Sequence, residues 1–372
     1  MDIALNETQT LLRESMRDYL QKEVDFNRIR RLERDGGYDT ELWSYLQSSG
    51  FLGLPFPVEL GGDGGELTDL AVLLEELTRR AVVIPFLETL SCAIAVQRHG
   101  DPAIAAEIVA GVMNGSMTLA PAILEGSDSF DEIAMTVVDG KLGSSAEQAG
   151  PTISGQKRFV DYGQHVTHHL VAARDEAGLG LYLVDANSPG VTAHPLKNMG
   201  RTPEADIGYD NAPVRKAGGQ EAFAFLVMLA RTLASIECVG NCQQALDMTV
   251  EYVSMRVQFG RPIGTFQAVQ HHSANMAMST LAARFLAYEA IWQLDAGLAT
   301  VKSIAKTKAV ASKAATEVPM MAHQLYGGIG FTEEYDLHFF SRHAKQRAVS
   351  WGTVDECLAI VAATIEEAES WL

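Results

Sequence analysis

The chain has 372 residues, of which 47% are apolar and 20% are charged, and its formal net charge is -18 at pH 7. This composition indicates a globular protein long enough for two or three domains, and it excludes binding to nucleic acid or anionic membranes through bulk charge. No basic stretch followed by an apolar run opens the chain, and no apolar run of about eighteen residues occurs, so we expect a cytoplasmic protein without a signal peptide or a membrane span.

The first 117 residues are predicted to be helical. Apolar residues recur at helical spacing from Leu5 to Leu20, from Leu42 to Leu46 and from Leu67 to Arg80. The glycine-rich residues 61–65 follow no predicted strand and precede no lysine. They therefore predict a connection between helices rather than a phosphate-binding loop.

Residues 118–218 change in character, because short β-type runs alternate there with Gly, Asp and Pro. The runs are Ala134–Val138, His168–Ala172, Leu181–Val184 and Val191–His194. Regular short runs of this kind predict a small β-barrel or sandwich. His165, His168 and His169 lie in this segment, but no helix frames them and no carboxylate pairs with them, so they indicate a strand end rather than a metal site.

Residues 219–372 return to long helical patterns with few breakers. The predicted helices are Phe225–Met255, Phe266–Gly297, Val301–Tyr326 and Val354–Trp371. Such segments are typical of a four-helix bundle. Cys238 and Cys242 lie one helical turn apart without two further ligands nearby, so core packing is predicted rather than a metal site, and the four cysteines make no disulfide framework. The predicted fold class is mainly α with a β middle domain.

Two motifs in the last third of the chain are the most specific. Residues 256–264 read Arg-Val-Gln-Phe-Gly-Arg-Pro-Ile-Gly and continue as Phe266–His271, and residues 324–332 read Gln-Leu-Tyr-Gly-Gly-Ile-Gly-Phe-Thr. Together with the opening Ala4–Arg13 and the turn Gly53–Gly62, in this order and spacing, they resemble the acyl-CoA dehydrogenase family. The resemblance covers nearly the whole chain and implies the order of an N-terminal helical domain, a small β-barrel and a C-terminal helical bundle.

The resemblance also implies an activity, a cofactor and partners. Members of this family oxidise an acyl-CoA to the 2,3-enoyl-CoA, as a carboxylate base removes the α-proton and a hydride leaves the β-carbon for the flavin of FAD. Hydrogen bonds to the thioester carbonyl stabilise the charge that develops there. Expected partners are the acyl-CoA substrate, further subunits of a tetramer and, as a candidate electron acceptor, an electron-transfer flavoprotein.

In the family, one group of residues reaches across a dimer interface to the FAD of the neighbouring subunit. By resemblance this group comprises Arg256, Phe259, Gln267, Gln324, Gly327 and Gly328. An arginine suits a pyrophosphate, and glycines let backbone N–H groups approach phosphate oxygens. Thr353 matches a threonine that the family places near FAD, although a helix cap before Val354 explains it equally well.

The usual catalytic base is missing from the pattern. Most members of the family carry a glutamate where this chain has Trp351, and an indole is a donor only. The second position that the family uses for the base falls on Ala230. We therefore find no confident catalytic residue in the sequence.

The residues expected to hold a flavin ring within the same chain also depart from the family. Leu124-Glu125-Gly126-Ser127-Asp128 lacks the usual threonine and leaves Ser127 as a weak candidate contact. Phe159-Val160-Asp161-Tyr162 places a carboxylate where a hydroxyl is usual, near a flavin that becomes partly anionic. Contacts to a neighbour's FAD are thus kept, whereas contacts to the chain's own flavin ring are degraded.

Three hypotheses remain open. The first resembles the α2β2 acyl-CoA dehydrogenases of steroid side-chain breakdown, with this chain as the subunit that lacks the base. The second is a homotetramer with a relocated base, for which Glu237, Glu125 and Asp161 are candidates. The third is a non-catalytic scaffold without flavin, although the retained Arg256 and Gln324 argue against it. The helix that carries Arg342 and Lys345 is expected to be an interface or to face solvent.

Overall fold

The computed structural model describes residues 4–126, 130, 132–138 and 150–369. Its helices are α1 (Glu7–Glu23), α2 (Phe26–Asp35), α3 (Thr40–Ser48), α4 (Leu67–Arg79), α5 (Phe86–His99), α6 (Pro102–Met113), α7 (Gln220–Met255), α8 (Gln267–Asp295), α9 (Val301–Tyr326), α10 (Leu337–Val349) and α11 (Val354–Glu369). Its strands are β1 (Leu119–Ala122), β2 (Val137–Val138), β3 (Thr152–Asp161), β4 (His168–Asp175), β5 (Gly178–Asp185), β6 (Val191–Pro195), β7 (Glu204–Pro213), β8 (Arg215–Gly218), β9 (Val257–Gln258) and β10 (Arg261–Pro262). A mainly helical chain with a β middle segment is confirmed.

Local capping explains where several helices begin. The Asn6 side chain accepts from the backbone N–H of Gln9 at 2.8 Å, and the Gln9 side chain accepts from the backbone N–H of Asn6 at 3.1 Å. Thr300 and Ser303 make the same reciprocal pair at the start of α9. Each pair satisfies two backbone donors that the first helical turn leaves open.

The β segment forms two four-stranded sheets, with strand orders β1-β4-β5-β8 and β2-β3-β7-β6. β1 pairs with β4 in parallel, and all other neighbours pair antiparallel. The pairing of β3 with β7 shifts register between Lys157 and Val160, which marks a bulge at Arg158 and Phe159. Alternation along β7 buries Ala205, Ile207 and Tyr209 on one face of the sheet.

Two compact units result from the packing within the chain. The first unit comprises Met1–Arg31, Glu66–Val82 and Met228–Leu372, and the second comprises Leu32–Gly65 and Val83–Val227. The N-terminal helices are therefore divided between the units. The predicted division into residues 1–117, 118–218 and 219–372 stays a prediction.

Helix α7 is the longest element, with 36 residues, and runs through the first unit from Met228 onward. It is long and apolar enough to cross a membrane by length and composition alone, but 83% of its most apolar window is buried within the protein. Burial on this scale is typical of the core helix of a globular protein. The apolar residues that make α7 a candidate span therefore serve packing.

Candidate functional site

Trp351 lies in the short connection between α10 and α11. Its backbone has φ 62°, a left-handed conformation that is rare for a bulky residue, and its carbonyl oxygen accepts a hydrogen bond of 2.8 Å from Nε of Arg231. Arg231 is buried on α7. The backbone at Trp351, the position where the resemblance places the base, is therefore held in place, and an indole offers no proton acceptor.

Lys308 binds the end of α10, just before this connection. The sequence pattern did not identify it as a functional candidate. Its side chain is fully buried, and Nζ donates to the Ser312 Oγ at 2.6 Å and to the carbonyls of Arg347 and Ala348 at 2.9 and 3.2 Å. Those carbonyls belong to the last turn of α10, where a cation is favourable. Burial lowers the pKa of Lys308 below its ordinary value.

Glu237, the first candidate for a relocated base, faces a cation. Its Oε2 lies 2.6 Å from Nε of Arg347, and the two side chains are 14% and 8% exposed. A carboxylate in such a pair is stabilised in its charged form and is occupied by the arginine. Ala230, on the same helix, is fully buried and carries no group that titrates. Glu237 therefore forms an ion pair within the first unit, which is called the helical unit below.

The thiols near this ion pair are not nucleophiles. Cys238, Cys242 and Cys357 are buried and free. Burial raises the pKa of Cys238 to about 11, and it raises the pKa of Cys242 well above its ordinary value. The prediction that Cys238 and Cys242 pack in the core is confirmed.

Glu125, the second candidate base, is held by three donors in the other unit. The Lys157 Nζ lies 2.6 Å from Oε1, and the backbone N–H groups of Ala134 and Met135 donate at 3.0 Å each. Burial alone would raise the pKa of Glu125, but Lys157 and the two N–H groups outweigh it and hold the pKa below its ordinary value. Glu125 therefore stays charged as part of a structural network.

Asp161, the third candidate, ends β3 opposite Glu204 of β7 and is partly buried. Two residues earlier, Phe159 adopts φ 54° at the bulge, remains 42% exposed and carries the Arg158 guanidinium 4.5 Å from its ring. The segment that departs from the family at Phe159-Val160-Asp161-Tyr162 thus has an irregular backbone. Ser127 lies outside the described residues.

Phe259 stands at the tip of the hairpin between β9 and β10. Phe259 and Gly260 have φ 53° and 78°, which identifies a two-residue turn with both central residues left-handed. The Phe259 side chain is 91% exposed, and its ring meets that of Phe266 edge to face at a centroid distance of 6.0 Å. The phenyl ring is therefore accessible to a molecule outside its own unit.

The ends of α7 and α9 are joined by a pair of tyrosines. Tyr252 stacks on Tyr326 at 4.1 Å, and the Tyr326 hydroxyl donates to the carbonyl of Met248 at 2.9 Å. Arg256 lies one turn after Tyr252, and Gly327 directly follows Tyr326. Two of the predicted cofactor-binding segments are therefore brought together by packing.

Six predicted cofactor contacts are exposed in the first unit, at helix ends or in the hairpin that follows α7, namely Arg256, Phe259, Gln267, Gln324, Gly327 and Gly328. Gly327 has φ 67° with ψ -151°, a conformation that favours glycine, and a Cβ at Gly327 or Gly328 would meet no atom within 4 Å. Backbone that can be approached, beside an exposed guanidinium and an exposed phenyl ring, fits a pyrophosphate and an aromatic group of FAD supplied from outside. The residues present thus fit the cofactor.

Thr353 is occupied as a helix cap. Its Oγ1 donates to Oε2 of Glu356 at 2.8 Å, and the Glu356 backbone N–H donates back to Oγ1 at 3.3 Å. This reciprocal pair begins α11. Of the two roles that the sequence leaves open for Thr353, the structure displays the cap.

The helix that carries Arg342 and Lys345 was expected to be an interface or to face solvent; Lys345 is exposed and Arg342 is half-buried, whereas the opposite face of α10 is packed inside the unit. Phe339, Phe340, His343 and Arg347 are all buried. Arg342 packs 5.4 Å from the ring of Phe339. Helix α10 packs against α9 because its apolar residues recur at helical spacing.

The histidines of the β segment serve structural contacts. The Nε2 of His169 lies 2.8 Å from the carbonyl of Gly163, and its Nδ1 lies 3.1 Å from the Tyr209 hydroxyl. Burial lowers the pKa of His169 and keeps its ring neutral. Among the residues that the structure describes, no cluster of three potential metal ligands occurs.

Two family models match the chain. The model described as acyl-CoA dehydrogenase, N-terminal domain, matches residues 6–116, and the model described as acyl-CoA dehydrogenase, C-terminal domain, matches residues 218–366. The acyl-CoA dehydrogenase IpdE2 of Mycolicibacterium smegmatis is 28% identical over 95% of this chain and 97% of its own. The acyl-CoA dehydrogenase FadE27 of Mycobacterium tuberculosis is 27% identical over 85% of each chain.

Solved structures show the same fold. A chain of the Tcur3481-Tcur3483 steroid ACAD, determined as a variant, aligns with a TM-score of 0.90 at 30% identity, covering 98% of this chain and 99% of that one. A chain of the ChsE4-ChsE5 complex from Mycobacterium tuberculosis aligns with a TM-score of 0.90 at 25% identity, covering 99% of each chain. The similarity extends over the full length of all three chains.

Proposed function

Because this chain belongs to the acyl-CoA dehydrogenase family, whose members are oxidoreductases that act on the CH–CH bond of an acyl-CoA, we propose that it is the subunit of a heteromeric enzyme that lacks the catalytic base. In this role it completes the FAD site of a homologous subunit and does not remove the α-proton itself. The observation that carries the proposal is Trp351 at the position of the base, on a backbone that Arg231 still holds.

Two of the three candidate bases, Glu237 and Glu125, support the proposal, because each carboxylate is held in a structural contact. Glu237 is paired with Arg347, and Glu125 is held by Lys157 and two backbone donors. A general base has to reach the proton at about 3 Å with a free lone pair. Neither carboxylate meets that requirement without breaking a short ionic contact.

The exposed group at the helix ends supports the second half of the proposal. Arg256 and the backbone at Gly327 and Gly328 would bind the pyrophosphate of FAD, and Phe259 would pack on it from across the subunit interface. FAD, when bound, supplies the acceptor for the hydride of the substrate. This chain would contribute binding and orientation and would exclude water from the neighbour's cofactor.

The relatives narrow the expected substrate and assembly. The Tcur3481-Tcur3483 protein is a steroid ACAD, and the ChsE4-ChsE5 protein is a complex of two subunits. We therefore propose a bulky acyl-CoA of steroid type as the substrate and a tetramer with two kinds of subunit in the cytoplasm. In such an assembly this chain keeps the FAD contacts, and the second kind of subunit supplies the base that this chain lacks.

The test is to purify the chain alone and together with a homologous subunit that carries the glutamate, and to measure acyl-CoA-dependent dye reduction. The proposal expects turnover only from the pair, and it expects Arg256→Ala in this chain to lower the flavin content of the pair. Arg31→Ala, which changes an exposed arginine of α2, is the matched control. Turnover by the lone chain at the rate of the pair would reject the proposal.

A further inference from the structure

A cavity of about 250 Å³ lies in the helical unit, between α1, α4, α7 and α8, apart from the candidate flavin contacts. Four of its lining side chains are arginines, Arg13, Arg17, Arg79 and Arg284. In a chain with a net charge of -18, such a concentration of guanidinium groups is a local exception. A cationic cavity is a candidate site for an anion.

Three carboxylates compensate part of this charge. Glu76 receives a bidentate pair from Arg17 at 2.9 and 2.6 Å, and Nη2 of Arg284 lies 2.6 Å from Oε1 of Glu75. Because Glu76 binds it through two hydrogen bonds, the pKa of Arg17 is raised. These two arginines are matched by carboxylates of the protein.

Arg79 is also matched, but one further arginine is not. Nη2 of Arg79 lies 2.7 Å from Oδ2 of Asp247, whose Oδ1 accepts from the Gln243 side chain at 2.6 Å. Nε of Arg13 is buried and has no hydrogen-bond acceptor among the described residues. With four arginines against Glu75, Glu76 and Asp247, the site keeps one positive charge. A ligand with a single negative charge, held by the part of the Arg13 side chain that lines the cavity, would balance it.

The remaining lining residues indicate that the rest of the ligand is apolar. Leu5, Val72 and Phe285 contribute apolar surface, and Phe285 is 41% exposed on α8. A volume of 250 Å³ equals that of about eight water molecules in the liquid, which suits an anion with a short hydrocarbon body. The Arg17 side chain is 37% exposed, so a solute can reach the site from solvent.

We propose that this cavity binds a small monocarboxylate, with its carboxylate on Arg13 and its hydrocarbon against Leu5, Val72 and Phe285. A monoanion fits better than a phosphate dianion, because a second negative charge would face Glu75 and Glu76 without a cation to balance it. The site uses none of the residues assigned to FAD. It therefore stands independently of the role proposed for this chain in a heteromeric enzyme.

The experiment measures the binding of hexanoate to the full chain, purified alone, by isothermal titration calorimetry. Arg13→Gln is expected to weaken binding by about tenfold or more, since it removes a charge-assisted hydrogen bond. Arg13→Lys, which keeps the charge on the same helix face, is expected to weaken binding less. Arg31→Gln on α2 is the matched control, with unchanged affinity.

Neutral hexan-1-ol separates the carboxylate contact from simple filling of an apolar space. The proposal expects hexan-1-ol to bind at least about tenfold more weakly than hexanoate and expects added salt to weaken hexanoate binding. Equal affinity of wild type and Arg13→Gln, equal affinity of the acid and the alcohol, or no hexanoate binding at all would overturn it. Circular dichroism of each variant establishes that the helices are intact.

Discussion

Substitution of each partner in the ion pair between Glu237 and Arg347 tests whether Glu237 is a structural carboxylate or a relocated base. Its atoms lie 2.6 Å apart, and the two side chains are 14% and 8% exposed, so both charges are largely shielded from water. Removing one partner of such a buried pair leaves an uncompensated charge and costs about 3 kcal/mol or more. We therefore expect Glu237→Gln and Arg347→Gln to destabilise the helical unit by similar amounts, each about 3 kcal/mol.

The assay is urea unfolding of the complex, followed by far-UV circular dichroism, with turnover measured on the folded fraction. The double variant Glu237→Leu with Arg347→Met replaces the pair by apolar groups, so its stability should return to within about 1 kcal/mol of the wild type. Turnover per folded complex should be alike for both single variants, because the base lies in the other subunit. Loss of turnover in Glu237→Gln alone, with Arg347→Gln active, would refute this reasoning and make Glu237 the base.

Three further predictions concern other residues. The pKa of Glu125 is lowered in the folded chain, so its charged form stabilises the fold. The loss of unfolding free energy in Glu125→Gln should therefore be constant above pH 4.5 and should shrink as the pH falls through the folded pKa. Urea titrations from pH 7 to pH 3 that show no such change would contradict this prediction. Phe259→Ala should change unfolding free energy by less than about 0.5 kcal/mol, because the ring is 91% exposed, but should lower flavin absorbance of the complex, whereas the exposed control Leu11→Ala should leave it unchanged. Trp351→Glu should give no acyl-CoA turnover in the lone chain, since a new base does not supply a flavin site, and dye reduction by this variant alone would disprove that.

Much of the fold follows from local signals in the sequence. Helix α9 begins and ends where predicted, at Val301 and Tyr326, because Thr300 supplies the cap and Gly327 adopts a positive φ that ends the helix. The strands β3 and β7 were not assigned individually. Each has 10 residues, and register shifts in their pairing interrupt the alternation of buried and exposed residues along β3.

The sequence motifs located some residues of the candidate site, and only the fold revealed the others. The exposed group of Arg256, Phe259 and Gly327 was located by motif, since these residues cluster within short stretches of the chain. The ion pair of Glu237 with Arg347 joins residues that are far apart in sequence, and neither spacing nor composition predicts it. Lys308 has the pattern of an ordinary helical lysine, and only its packing against the last carbonyls of α10 reveals its role.

The arginine cavity was invisible in the sequence for a related reason. Arg13 and Arg17 lie on one face of α1, which predicts an ordinary solvated stripe. Arg79 and Arg284 come from α4 and α8, which only the fold brings to the same place. The sequence alone therefore does not predict that arginines from three helices line one cavity.

The stoichiometry of flavin in the purified complex tests the central claim most directly. If this chain lends its contacts to a flavin seated in a homologous subunit, the complex should carry one flavin for each pair of unlike chains, and the chain purified alone should carry none. Flavin released by denaturation and quantified against both polypeptides gives the number. One flavin per polypeptide, with a flavin bound to this chain on its own, would contradict the account.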